Sequence, residues 1–121
     1  MIRRYGRVLL CAVLAVVSVG MMWSGVAAAD PTAWVINATG ETLSRINLTS
    51  GQVDNDLLTL GSDLFSYPNQ IMVVDTLAYV VCSGTHELQV IDLNSLSTVD
   101  FISTSSGSNP FWMDLQNAQT A

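Results

Sequence analysis

The chain has 121 residues, half of them hydrophobic, and it carries ten acidic side chains against four basic ones. Three of the four basic residues lie within the first seven positions, so residues 30–121 keep only Arg45 and have a formal net charge of −9. A surface this acidic repels phosphate backbones and anionic lipid head groups. It therefore excludes nucleic acid as a partner and favours cationic ligands or partners.

The first 29 residues have the three parts of an export signal. The arginines of the first seven residues are followed by an apolar run over 8–19, and Ala27 and Ala29 then supply the small-residue pattern that a signal peptidase recognises. We expect a signal helix that is cleaved after Ala29, and hence a secreted or periplasmic protein that meets the membrane only before cleavage. An uncleaved N-terminal membrane anchor is the alternative.

Cysteine and histidine are scarce after the signal. Cys82 and His86 are the only residues of these types in 30–121, so this part of the chain cannot form an internal disulfide or a histidine-rich zinc site. We interpret Cys82, which closes an apolar run, as a small buried hydrophobic residue. His86 and Glu87 adjoin in the order of a general base and its partner, but no nucleophile is spaced to meet them, and we interpret them as a solvated turn.

Two segments of the chain are similar to each other. When residues 33–50 are aligned without gaps on 78–95, six of the eighteen positions are identical. The offset of 45 residues is typical of repeat architectures. Within each copy, apolar runs rich in valine and isoleucine alternate with Gly, Ser, Thr, Asn and Asp, which indicates strands and turns.

The strand pattern predicts an all-β protein with no helix after the signal. The second copy has four strands, the first has three because the signal stands where a fourth would precede residue 33, and a further strand follows the second copy. The predicted strands are 33–37, 42–48, 53–60, 70–74, 77–82, 87–92, 98–103 and 111–115. Four antiparallel strands in 40 to 45 residues are typical of a β-propeller blade.

Three motifs carry a resemblance to a known family. "AYVVCSG" at 78–84, "LQVIDL" at 88–93 and "GSNPFWM" at 107–113 resemble the YVTN-type (YncE-like) propeller repeat of exported bacterial and archaeal proteins. The resemblance implies an incomplete propeller: a signal peptide at 1–29, a partial first blade at 30–67, a second blade at 68–109 and the start of a third at 110–121.

A propeller needs about four blades or more to close its ring, and this chain supplies fewer than three. We therefore interpret the chain as a fragment of a longer propeller. A ring that several chains close together is one alternative, and another small β-sandwich that only resembles blades is a second.

The predicted blades explain several Asp and Asn residues as parts of turns and strands. Asp92 and Asn47 occupy equivalent turn positions, where their side chains are expected to accept backbone N–H bonds. Asp54, Asp56 and Asp63 include a D-x-D pair but lack a calcium-binding loop, so we predict no metal site. We assign no catalytic or cofactor-binding residues and no cofactor.

The propeller resemblance implies a binding surface where loops lead into the innermost strands. Its candidate rim residues are Tyr67, Asn69, Asn109, Phe111 and Trp112, although the two last could instead pack between blades. We expect a non-catalytic binding scaffold whose partner is a protein, a cell-envelope component or a small ligand. The alternative is a fragment of a propeller enzyme, similar to lactonases or quinone-dependent dehydrogenases, with its catalytic residues in other blades.

Overall fold

The computed structural model describes residues 28–116, and every regular element in that range is a β-strand. No helix in this range is long and apolar enough to cross a membrane. The predicted signal segment lies outside the described residues, except that Ala28 and Ala29 stand in an exposed stretch before the first strand. The strands are β1 (Thr32–Asn37), β2 (Thr42–Asn47), β3 (Val53–Thr59), β4 (Pro68–Val74), β5 (Leu77–Cys82), β6 (Glu87–Asp92) and β7 (Ser97–Ser103).

The strands form two antiparallel sheets. The first sheet has the order β1-β2-β3 and the second has the order β4-β5-β6-β7, so each strand pairs with its neighbour in the chain. Short turns of polar residues make this meander possible, because antiparallel strands can be joined by very few residues. The all-β prediction is confirmed, and seven of the eight predicted strands are present with bounds that agree to within two residues.

The prediction of an eighth strand at 111–115 is wrong. Residues 111–116 have no strand pairing within the described range. The side chain of Gln70 holds the segment in place of strand-to-strand hydrogen bonds. The Met113 N–H donates to Gln70 Oε1 at 2.6 Å, and Gln70 Nε2 donates to the Met113 carbonyl at 3.1 Å. The apolar run "FWM" therefore attaches to the second sheet through one amide.

The hydrophobic core lies between the two sheets. Leu43 and Leu60 from the first half pack with Ala78, Val80 and Ile91 from the second, and all five are fully buried. Paired residues on neighbouring strands point to the same side of a sheet, so each sheet presents one apolar face to the other. The strands alternate accordingly, and each sheet keeps a second face that is turned away from the core.

The turns after β2 and β6 repeat the same hydrogen bonds. Asn47 Oδ1 accepts from the N–H groups of Thr49 and Ser50, each at 2.9 Å. Asp92 Oδ1 accepts in the same way from Asn94 at 2.8 Å and Ser95 at 3.3 Å. The predicted structural role of both side chains is confirmed. A carboxylate and an amide can both fill this position because the turn itself uses only the acceptor oxygen.

Polar side chains of β6 fasten the connection between the sheets. Gln89 is fully buried, and its Oε1 accepts from the Gly61 N–H at 2.8 Å. The carboxylate of Glu87 accepts from the Ser62 N–H at 2.7 Å and from the Ser62 hydroxyl at 2.8 Å. The interpretation of Glu87 as part of a solvated turn is therefore wrong, since the residue begins β6 and is buried.

Candidate functional site

Four loops gather at one end of the two sheets. The loops at 38–41, 60–67, 83–86 and 104–110 all follow the strand ends that lie beside the start of β4, and we call this side of the molecule the loop end. The longest loop at this end spans residues 60–67 and joins the two sheets. Exposed loops on a rigid sheet scaffold are where proteins commonly place binding residues.

Buried contacts fix both ends of the 60–67 loop. Leu60 and Ser66 are fully buried, and the Ser66 hydroxyl donates to the Leu60 carbonyl at 2.8 Å. On the other side, the N–H and the hydroxyl of Ser83 donate to the Tyr67 carbonyl at 3.2 and 3.1 Å. The loop is therefore a fixed support rather than a loose connection.

The same loop exposes its large apolar side chains. Leu64 is 75% exposed, Phe65 67% and Tyr67 55%. The two rings lie 6.3 Å apart between centroids, a spacing typical of interacting aromatic pairs. Phe65 and Tyr67 also have positive φ angles of 62° and 47°. Such a conformation is costly for bulky side chains and persists where the surroundings impose it, which is common at binding sites.

Gly84 makes this conformation possible. A Cβ at position 84 would overlap the Phe65 carbonyl oxygen and press on the Tyr67 ring. Without a side chain, Gly84 approaches closely enough for its N–H to donate to the Ser66 carbonyl at 2.8 Å. The glycine therefore sets the position of the aromatic pair.

An open cleft of about 380 Å³ lies beside the aromatic pair. We call it the loop-end cleft, and its lining residues are Ala38, Thr39, Glu41, Leu64, Phe65 and Tyr67. Glu41 brings a carboxylate into a mainly apolar surface, and its Oε1 accepts from the Tyr67 N–H at 3.3 Å. A carboxylate beside two aromatic rings suits a ligand that has a cationic group and an apolar body.

The structure separates the five predicted rim residues. Tyr67 lines the loop-end cleft, whereas Asn69 lies in β4 with its side-chain Nδ2 buried and without a partner among the described residues. The Asn109 N–H donates to His86 Nδ1 at 3.2 Å. Phe111 and Trp112 are 67% and 76% exposed, so they are not packed between sheets in this structure.

Trp112 lines a second, smaller cavity of about 130 Å³. It lies between the segment around Pro110 and the far side of the second sheet, where Val81 and Leu88 form its floor. The two cavities share no lining residue, so Tyr67 and Trp112 belong to different cavities. The sequence pattern did not indicate Phe65 or Glu41, although Phe65 lies only two residues before the predicted rim residue Tyr67.

The acidic residues near β3 have partners within the protein. Asp54 Oδ2 accepts from Arg45 Nη2 at 2.6 Å, and this hydrogen bond lowers the pKa of the Asp54 carboxyl. Asp56 accepts from the Thr42 hydroxyl at 2.7 Å. Among residues 28–116, His, Cys, Asp and Glu side chains do not gather in groups of three or more that could hold a metal ion.

Cys82 lies in the core and has a protonated thiol. Burial raises its pKa to about 12, and the negative charges of Glu87 and Glu41 add to the effect. The thiolate is the reactive form of cysteine, so this side chain is a packing residue at neutral pH.

These features define an all-β protein of two stacked antiparallel sheets with an aromatic cleft at one end. No protein-family model, no curated protein and no solved structure matches the chain.

Proposed function

We propose that the protein is an exported β-propeller repeat protein that acts as a non-catalytic binding scaffold outside the cytoplasm, and that the loop-end cleft is its binding site. The proposal depends on one observation: Leu64, Phe65 and Tyr67 are exposed on a loop whose backbone is fixed. Their backbone is anchored by buried residues on both sides, while their side chains remain more than half exposed. Exposed apolar groups on a rigid, strained support are typical of interaction sites.

Three features support the propeller part of the proposal. The sheets have three and four antiparallel strands, they stack face to face around one core, and equivalent turns lie 45 residues apart. Stacked antiparallel sheets of four strands are the units from which propellers are built. The export part depends on the charged, apolar and small-residue order of the first 29 residues.

The chemistry of the cleft favours a ligand or partner group that is both cationic and apolar. The negative charge of residues 30–121 attracts cations over a distance, Glu41 supplies a local carboxylate, and the rings of Phe65 and Tyr67 offer faces to a cation. A lysine or arginine side chain of a protein partner has this chemistry, as does a small organic cation.

Benzyltrimethylammonium, an aromatic cation, is a suitable probe for the cleft. In NMR spectra of residues 30–121, we expect a titration with this cation to shift the signals of 38–41 and 64–67 with a millimolar dissociation constant. The uncharged analogue benzyl alcohol should bind about two- to fivefold more weakly, because a cation–π contact contributes about 0.5–1 kcal/mol at an exposed site.

A double variant, Phe65→Ser with Tyr67→Ser, should abolish these shifts. The matched control is Phe111→Ser with Trp112→Ser, which removes two aromatic rings that lie outside the cleft. Shifts that persist in the first variant, or that disappear in the second, would assign the binding to another surface.

A further inference from the structure

Each sheet has an outer face that is turned away from the shared core. On the first sheet the register pairs Ala33 with Ile46, and Val35 lies on the same side. On the second sheet the register pairs Tyr79 with Val90 and Val81 with Leu88, and these four side chains point away from the first sheet. Apolar side chains therefore line both outer faces, although Val81 and Val90 are already buried within the single chain.

The repeat relates these outer faces to the core. We call two residues that lie 45 positions apart repeat mates. Val35 and Ile46, on the outer face of the first sheet, are only half-buried, but their mates Val80 and Ile91 are fully buried against the first sheet. The outer face of the first sheet is thus the counterpart of the face by which the second sheet enters the core.

The converse holds for the second sheet. Leu88 on its outer face is half-buried, and its mate Leu43 is fully buried against the second sheet. Tyr79 and Val81 are likewise the mates of Trp34 and Ile36, which pack on the core. The two outer faces are therefore counterparts of the two sides of one interface that the molecule already contains.

We infer that the outer face of the second sheet in one copy packs on the outer face of the first sheet in another copy, so that the chain associates head to tail with itself. A single chain cannot bring its own two outer faces together, because the core lies between them. A second copy presents the required surface with the same strand register. The contact is heterologous, so repetition of it yields a ring where the rotation closes.

Polar groups on the outer faces are already paired within their own sheets. Asn37 Nδ2 donates to the Ser44 hydroxyl at 2.8 Å and to the Thr42 hydroxyl at 3.0 Å. On the second sheet, the amide of Gln70 is paired with the backbone of Met113. The two faces can therefore be covered without leaving these groups unsatisfied, which would oppose association.

The segment at 110–116 also fits such a contact. Pro110 stands 42 residues after Pro68, so the segment occupies the place in the repeat that β4 occupies before β5. It lies on the outer face of the second sheet, and Gln70 holds it there. The edge of β1 that would face such a strand has no strand partner among the described residues. A second copy docked on this face brings its β1 edge to the segment.

Paired variants test the contact. We expect Ile46→Lys to block the outer face of the first sheet and Leu88→Lys to block that of the second. In analytical ultracentrifugation of residues 30–121 at 150 mM salt, the parent chain should sediment as an assembly of two or more copies, and each variant alone should sediment as a single chain. A mixture of the two variants should form a one-to-one dimer, because each still presents one intact face.

The control is Leu64→Lys, which replaces an exposed leucine of the loop end with the same charge and should leave the assembly unchanged. Circular dichroism of each variant checks that the strands are retained. A parent chain that sediments as a single chain up to 1 mM would overturn the inference, as would a mixture in which no dimer forms. An assembly that resists both substitutions would assign association to another surface, and it would overturn the inference as well.

Discussion

Gln89 is the residue on which the connection between the two sheets depends most directly. Its amide is fully buried, with Oε1 accepting from the Gly61 N–H at 2.8 Å and Nε2 donating to the Thr98 hydroxyl at 2.8 Å. A side chain with both a donor and an acceptor satisfies two partners at once, which neither an apolar residue nor a carboxylate could do.

Replacement of this amide should destabilise the fold. Gln89→Leu keeps the approximate volume but leaves the Gly61 N–H without its acceptor, so we expect the free energy of unfolding to fall by about 1–3 kcal/mol. Urea denaturation followed by circular dichroism measures the change. Gln52→Leu, at an exposed position, is the control. Equal midpoints for the two variants would show that the Gln89 hydrogen bonds contribute little.

Cys82 should resist alkylation in the folded protein. With a pKa of about 12, only about one thiol in ten thousand is ionised at pH 8, so iodoacetamide should label native protein far more slowly than protein in 8 M urea. Rapid labelling of the native protein would contradict the buried, protonated state.

The same thiol makes stability depend on pH in the alkaline range. The unfolded thiol ionises near its ordinary pKa of 9.0, whereas the folded thiol ionises near 12, so the unfolded state loses its proton first. Stability should therefore fall as the pH rises from about 9 to about 12. The Cys82→Ala variant should lose less stability than the parent over that interval. Parallel curves for the two proteins would contradict the assignment.

At the scale of elements, the 60–67 loop shows how a connection becomes a site. Its ends are fixed by Leu60 and Ser66, and its exposed aromatic pair is positioned against Gly84. The sequence indicated the strands on both sides of this loop, because apolar runs with β-branched residues are a local signal. It did not indicate the anchored backbone, since that depends on Ser83 and Gly84 of the next hairpin.

Gly84→Ala should loosen the loop. The added methyl group overlaps the Phe65 carbonyl, so the loop must move away from the β5–β6 turn and lose the hydrogen bond to Ser66. We expect chymotrypsin to cleave after Phe65 about tenfold faster under native conditions, because local opening becomes easier. Gly40→Ala, where a Cβ meets only ordinary contacts, is the control. Equal cleavage rates would show that Gly84 does not hold the loop.

The strand predicted at 111–115 shows the limit of local signals. The segment "FWMDL" has the composition of a strand, yet a strand exists only where another strand supplies its hydrogen-bond partners. In the described residues those partners come from the side chain of Gln70. Composition therefore indicated the apolar character of the segment correctly and its backbone pairing incorrectly.

At the scale of the whole molecule, two stacked sheets bury one face each and leave one face each outside. The half-buried state of Val35, Ile46 and Leu88 follows from this arrangement and not from their sequence surroundings, which match those of the fully buried Val80, Ile91 and Leu43. Like charges on neighbouring copies oppose association of these faces, so assembly should strengthen with ionic strength as the repulsion is screened.

The all-β class, the order and approximate bounds of the seven strands, and the side-chain acceptors of the turns at Asn47 and Asp92 could be predicted from the amino-acid sequence. These features depend on residues that are close in the chain. Three features became clear only from the fold: Glu87 and Gln89 are buried and link the two sheets, Phe65 lies with Tyr67 and Glu41 in one cleft, and each sheet keeps one apolar face outside the shared core. Those outcomes depend on contacts between residues that are far apart in the chain, such as Gln89 with Thr59, 30 positions away, which no local pattern encodes.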